Sequence, residues 1–147
     1  MLQVSATTSG SVVYNDIAAL ASALPSQYWT NPTTAWMMHP ATIDSLRQLK
    51  DSGGLPLFLE IGSKDGYSIG NIFGHPVIPN PYMSVSGSGN YSVYLAEWER
   101  FFTIADHEEM SIKLTEQTSV GNIVFYGEKR VCSTIRDVFA GVRLYGA

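Results

Sequence analysis

The hydrophobic pattern changes period along the chain, helical in the first third and alternating in the remainder. From Tyr14, apolar residues at Ile17, Leu20, Ala21 and Leu24 recur at helical spacing, with Asn15 as candidate cap and Pro25 as stop. The run Ala35–Met38 is short and apolar and reads as a buried strand. Pro40 then suits the first turn of a helix, where its missing N–H costs nothing, and Ile43, Leu46 and Leu49 form its core-facing stripe. Asp51, Ser52, Gly53 and Gly54 end that stripe. "LPLFLEIG" reads either as a strand or as a packed loop, and Gly62 to Gly70 as a loop.

Beyond Gly70 the pattern turns to β. "NIFGHPVIP" holds two strand pieces around Gly74, and "SVSGSGNYS" carries hairpin-turn residues. Tyr91 to Glu97 reads as a strand, followed by a break at Trp98 to Arg100. "FFTIAD" and "MSIKLTE" alternate and read as neighbouring strands. "NIVFYGEKRVCSTI" reads as one long strand bent at Gly127. At the end of the chain, Val138, Ala140, Val142 and Leu144 fall on one face of a closing strand. Helices early and strands late make the class α+β. The first ten residues are small and polar and are expected to fray.

Composition narrows the function classes. At 147 residues and 45 % hydrophobic, the chain can build one proper core. Charged residues reach only 15 %, against about 25 % in ordinary domains. That shortage fits either a surface used for contacts or a Ser/Thr-rich surface. The net charge of -4, without any Lys/Arg run, argues against tracking a nucleic-acid backbone. The longest apolar runs are too short to span a bilayer, and "MLQVSATTSG" lacks the features of a signal peptide. A lone cysteine, Cys132, excludes an intrachain disulfide, and the chain reads as one made inside the cell.

Candidate chemistry is thin. Gly66-Tyr67-Ser68-Ile69-Gly70 matches the nucleophile-elbow pattern, which needs a strand before the serine and a helix after it. Here a loop precedes it and a strand-like run follows, so Ser68 reads as a loop serine. "HEEMS" begins like a zinc-protease motif, but no second histidine follows. Gly87-Ser88-Gly89 lacks the Lys-Ser/Thr of a phosphate loop. Cys132 reads as a strand residue and His39 as the joint before a helix. No catalytic residue, cofactor or metal is expected.

The order of motifs says more than any one of them. "AWMMHPATIDSLRQLKDSGG" resembles a stretch of tailed-phage major capsid proteins with the HK97-like fold. The shared positions are His39, Pro40, Thr42, Leu46, Leu49, Lys50, Asp51 and Gly53, then Gly70, Gly74, Pro76 and Val77. "YSVYLAEWERFFTIADHEEMSI" and "NIVFYGEKRVCSTI" fill the places of the family's later strands, with Arg130 at the family's arginine. The resemblance runs from Tyr14 to Leu144 and is to the second half of such proteins. It implies an HK97-like fragment, a central mixed sheet flanked by helices with an extended β region. The implied layout is an axial-type domain over 11–104, peripheral-type strands over 105–137 and a closing strand over 138–147.

By resemblance the function is structural: a capsid subunit of a phage or prophage, made in the bacterial cytoplasm and residing in the virion. Its partners would be copies of itself in pentamers and hexamers, with a scaffolding protein or maturation protease as further candidates. No specific nucleic acid and no membrane is implied. The loop from Asp51 to Tyr67, with Asp51, Ser52, Gly53, Gly54, Lys64 and Asp65, is the expected axis-facing contact. Glu128 and Arg130 are expected to form salt bridges, either between subunits or within the sheet. The alternatives are an encapsulin-like shell protein around a protein cargo, and a small hydrolase using Ser68.

Overall fold

The computed structural model describes residues 1–50, 70–107, 109–115 and 124–147. Two compact units emerge: unit 1 comprises Met1–Phe101 with Asp137–Ala147, and unit 2 comprises Phe102–Arg136.

Unit 1 is a six-stranded mixed sheet with helices. In chain order it has β1 (Leu2–Ser5), α1 (Tyr14–Ala23), α2 (Ser26–Trp29), β2 (Thr34–Met38) and α3 (Pro40–Arg47). Then come β3 (Gly70–Ile72), β4 (His75–Pro79), β5 (Tyr91–Glu97) and α4 (Trp98–Phe101). After unit 2, β10 (Gly141–Tyr145) returns to complete the sheet, in the order β1-β10-β5-β2-β4-β3. The β1–β10 and β2–β4 pairs are parallel, while β5 runs antiparallel to both β10 and β2. β1, β2 and β4 therefore all point the same way. The crossovers β1–α1–β2 and β2–α3–β4 both step towards the β3 edge. Right-handed connections then put α1 and α3 on one face.

That face is the core. Register places Val142, Leu95, Trp36 and Val77 in one row, and Leu144, Val93 and Met38 in the next. These rows meet Ile17 and Leu20 of α1, and Ile43 and Leu46 of α3, in one buried cluster. Each large side chain buried there contributes roughly 1.5–3 kcal/mol. The Trp36 indole is fully buried, and its N–H donates to the Ile72 carbonyl at 3.0 Å.

Several expectations are corrected. Residues 1–10 do not simply fray: Leu2 and Val4 lean on the core while β1 pairs with β10, and the Ala6 N–H donates to the Tyr145 carbonyl. Two apolar residues in alternation were too brief a signal for this strand. α1 is capped at Val13, not Asn15; the Asp16 carboxylate reaches back to the Val13 N–H at 3.1 Å. Asp16 also takes the backbone N–H and hydroxyl of Thr7, which accounts for a nearly fully buried acid. The Trp98–Arg100 break is the short helix α4. The glycine-rich turn before β5 does not join paired strands, since β4 pairs with β2 and β3; it is tied instead to the chain end through Gly89 N–H to Gly146 O. Val138 is exposed and precedes β10.

Unit 2 contains β6 (Phe102–Asp106), β7 (Ser111–Thr115), β8 (Val124–Glu128) and β9 (Val131–Ile135). β6 and β7 are not neighbours. β6 pairs with β9 and β7 with β8, both antiparallel, so the chain goes out and returns as nested pairs. The expected long strand is broken at Lys129–Arg130 rather than bent at Gly127. The described ladders end on either side of that break, Asp106 pairing with Val131 and Ser111 with Glu128.

Candidate assembly surface

Of the residues expected at subunit contacts, Asp51, Ser52, Gly53, Gly54, Lys64 and Asp65 lie outside the described residues, as does Ser68. Glu128 and Arg130 are described, and they meet. Glu128 ends β8, and its Oε1 accepts from Nε of Arg130 at 3.2 Å. Beside them, Lys129 Nζ reaches Asp106 Oδ2 at 3.0 Å, and the His107 N–H donates to the Arg130 carbonyl. Both ion pairs are solvent-exposed, so each contributes no more than about 1 kcal/mol. They tie the two sides of the break together within one chain.

The feature that sequence reasoning missed is apolar. Side chains of directly opposed residues share a face of an antiparallel pair. In β6–β9 one face carries Phe102, Ile104, Val131 and Ile135, and the other Thr103, Ala105, Cys132 and Thr134. In β7–β8 one face carries Ile112, Leu114 and Phe125, and the other Ser111, Lys113, Val124, Tyr126 and Glu128. No described residue of unit 2 is buried, and Ile104, Ile112 and Phe125 are each about two-thirds exposed (67 %, 65 % and 70 %). A two-stranded ribbon is marginal alone, and a row of bare Ile, Leu and Phe side chains marks a surface meant to be covered. The alternation in "FFTIAD" and "MSIKLTE" was the available signal; it gave the strands and left their apolar face unassigned.

In unit 1, polar contacts secure the residues on either side of the excursion to unit 2. The Tyr28 hydroxyl donates to Asp137 Oδ2 at 2.7 Å, and the Phe139 N–H to Asp137 Oδ1 at 2.9 Å. The Tyr28 bond, then the Phe139 amide, hold the Asp137 carboxyl below the usual carboxylate range. The same bond, with burial, pushes the Tyr28 phenol up. Glu97 is buried, accepts from the Thr33 hydroxyl at 2.8 Å, and turns its second oxygen to Arg100 Nε at 3.6 Å.

The remaining candidates for chemistry are structural. His39 caps α3, its Nδ1 accepting from the Ala41 N–H at 3.0 Å. His75 packs edge-on against Trp29, and burial lowers its pKa. Cys132 is an exposed free thiol near the Ala105 carbonyl. Among the described residues, no group of three or more His, Cys, Asp or Glu is placed to hold a metal ion. Among them too, no helix is long and apolar enough to cross a membrane.

Comparison with known proteins agrees with this architecture. No curated protein matches the chain. Among solved structures, the capsid of an empty GTA particle matches with a TM-score of 0.81 at 20 % identity, over 99 % of this chain and 50 % of that one. The Gordonia phage Cozz structure matches at 0.62 and 15 % identity, over 99 % and 49 %. The SrpI encapsulin of Synechococcus elongatus matches at 0.69 and 16 % identity, over 99 % and 52 %. The chain thus spans about half the length of these relatives, and what they share with it at such identities is the HK97-like fold. A family model described as the phage capsid family matches residues 2–143. The chain belongs to the phage capsid family.

Proposed function

We propose that this chain is the axial-type domain and part of the peripheral region of a major capsid subunit, whose work is self-association into a closed icosahedral shell. The observation that carries the reading is the bare ribbon of unit 2, two antiparallel strand pairs rich in exposed apolar side chains with no buried residue among those described. Unit 1 has a full core and no need of a partner for its own fold, whereas unit 2 requires a cover. A shell supplies such covers repeatedly, and many weak heterologous contacts suffice to close it.

In this reading, unit 1 occupies the axial position around five- and six-fold axes. The segment 51–67, with Asp51, Ser52, Gly53, Gly54, Lys64 and Asp65, faces the axis. Glu128 and Arg130 brace the ribbon and stand ready to exchange partners at a subunit boundary. Scaffolding and maturation partners belong to the same proposal, and the protein resides in the virion. No turnover is part of this function. The encapsulin match supports a second reading, a shell that encloses a protein cargo.

The test is negative-stain electron microscopy of the product of the complete reading frame. Uniform hollow polyhedra, or rings of five or six, are expected. Dispersed monomers at every concentration tested would refute the shell. Purified particles holding one co-purifying protein species would move the assignment to the encapsulin reading.

A further inference from the structure

β3 and β4 are joined by only two residues, Phe73 and Gly74, with Ile72 and His75 paired beneath them. Both residues of this turn have positive φ, 50° at Phe73 and 84° at Gly74. Two left-handed residues in a two-residue hairpin define a type I′ turn, which favours Asn, Asp or Gly at its first position. A bulky L-residue there sets its Cβ against the following carbonyl. Phe73 is the sole described non-glycine residue with positive φ.

Local packing covers part of this side chain and leaves the rest to solvent. The Phe73 ring meets the edge of the Tyr14 ring at 6.0 Å, and the residue is 41 % exposed. Asparagine would relieve the strain and would suit the water around the turn. The hairpin lies at the margin of the six-stranded sheet, since β3 is its last strand. The tip thus presents an aromatic ring on a rigid two-residue turn. That is the form of an interface anchor, because a ring with two torsions loses little entropy on docking. Strain maintained at an exposed position points to a function outside the subunit's own fold.

We propose that Phe73 is an assembly anchor that inserts into an apolar socket on a second copy of the protein. This inference rests on the self-association reading and names one contact within it. The contact is heterologous, a tip on one copy and a socket on the next, as rings and shells require.

The experiment compares wild type with Phe73→Asn and Phe73→Leu in the complete reading frame. Melting is measured on dissociated subunits, and assembly by sedimentation. Phe73→Asn should raise the subunit Tm by roughly 2–5 °C, because the left-handed position is relieved. It should lower the assembled fraction at least about tenfold, as loss of a hot-spot aromatic does. Phe73→Leu, apolar but still strained, should assemble better than Phe73→Asn without the gain in Tm. A fall in Tm for Phe73→Asn would overturn the inference, showing that the ring serves its own subunit through Tyr14. So would a raised Tm with assembly unchanged. A wild type that never assembles would overturn the shell reading together with this one, whereas equal assembly of wild type and Phe73→Asn overturns this one alone.

Discussion

Gly141 gives the most direct check on how unit 1 is packed. It opens β10 opposite Ala96 of β5, on the sheet face away from α1 and α3. A Cβ built there would lie 2.8 Å from Cδ2 and Cε2 of Phe101 and 3.2 Å from the Ala96 Cβ. Phe101 is buried, so its ring has little room to retreat, and Ala96 is fixed in the central strand. Gly141→Ala therefore forces a displacement of several tenths of an ångström in a packed site. Overpacking of this kind costs about 1–3 kcal/mol, a loss that outweighs the few tenths gained from alanine's lower unfolded-state entropy. For a chain of this size the expected fall in Tm is roughly 3–12 °C. The assay is thermal and urea unfolding of Gly141→Ala, Phe101→Leu and the double variant. The smaller leucine side chain should make room, so the double variant should be more stable than the two single effects predict, by about 1 kcal/mol or more. A Gly141→Ala protein that melts within a degree of wild type, or a double variant with strictly additive losses, would show that Phe101 does not cover this corner.

Other substitutions test other parts of the structure. Asp137, with its carboxyl held low by Tyr28, contributes stability that is fully present above the ordinary carboxylate range and is lost as pH falls through its depressed folded-state value. Tyr28, pushed up by the same bond, contributes stability that is full below its ordinary value of 10.0 and is lost as pH rises through the raised one. Tyr28→Phe should thus flatten both flanks of the stability–pH profile in urea titrations; unchanged flanks would dismiss the bond. Trp36→Phe removes the donor to Ile72 O and leaves a gap in the core, costing about 2–4 kcal/mol; a loss under 1 would contradict the burial of the indole. On the ribbon, Phe125→Ser should leave the melting of unit 1 within about 1 kcal/mol of wild type while reducing self-association, since exposed positions carry little folding energy. A large loss of unit 1 stability would mean that Phe125 is covered within its own chain. Cys132 should react with a thiol reagent in the native chain without denaturant. Resistance to labelling would contradict the exposure of the β9 face.

Unit 1 was largely legible in the sequence because its signals are local. His39-Pro40 with Ile43 and Leu46 specified α3 and its entry, and the apolar run from Ala35 gave β2 as a buried strand. Gly74 marked the turn between β3 and β4. What failed was pairing, which is set by partners far along the chain. "FFTIAD" and "MSIKLTE" are adjacent in sequence, and short connections usually join neighbours, yet each pairs with a strand from 124–135. β1 was missed for the same reason: a four-residue strand is recognised by β10, some 140 residues away, and not by its own composition. The contact residues expected at 51–65 lie outside the described residues, so the site the structure offers is the ribbon, which resemblance had marked only at Glu128 and Arg130.

The low charge content is not set by the ribbon, because nine of the 35 residues in 102–136 are charged, against 13 of the other 112. Between those charges unit 2 exposes Phe102, Ile104, Met110, Ile112, Leu114, Phe125, Tyr126, Val131 and Ile135 within a few dozen residues. Charged residues on and beside its strands, Asp106, Lys113, Glu128, Lys129 and Arg130 among them, discourage promiscuous edge pairing. Exposed apolar side chains on strands are still an aggregation hazard unless their proper cover forms quickly and in one geometry. In the proposed shell every copy would present the same face and receive the same cover. There the core of unit 1 would fix each subunit's shape, and the apolar side chains of unit 2 would supply the drive to associate. For that reason substitutions in the two places should separate cleanly, those in unit 1 acting on folding and those on the ribbon on assembly.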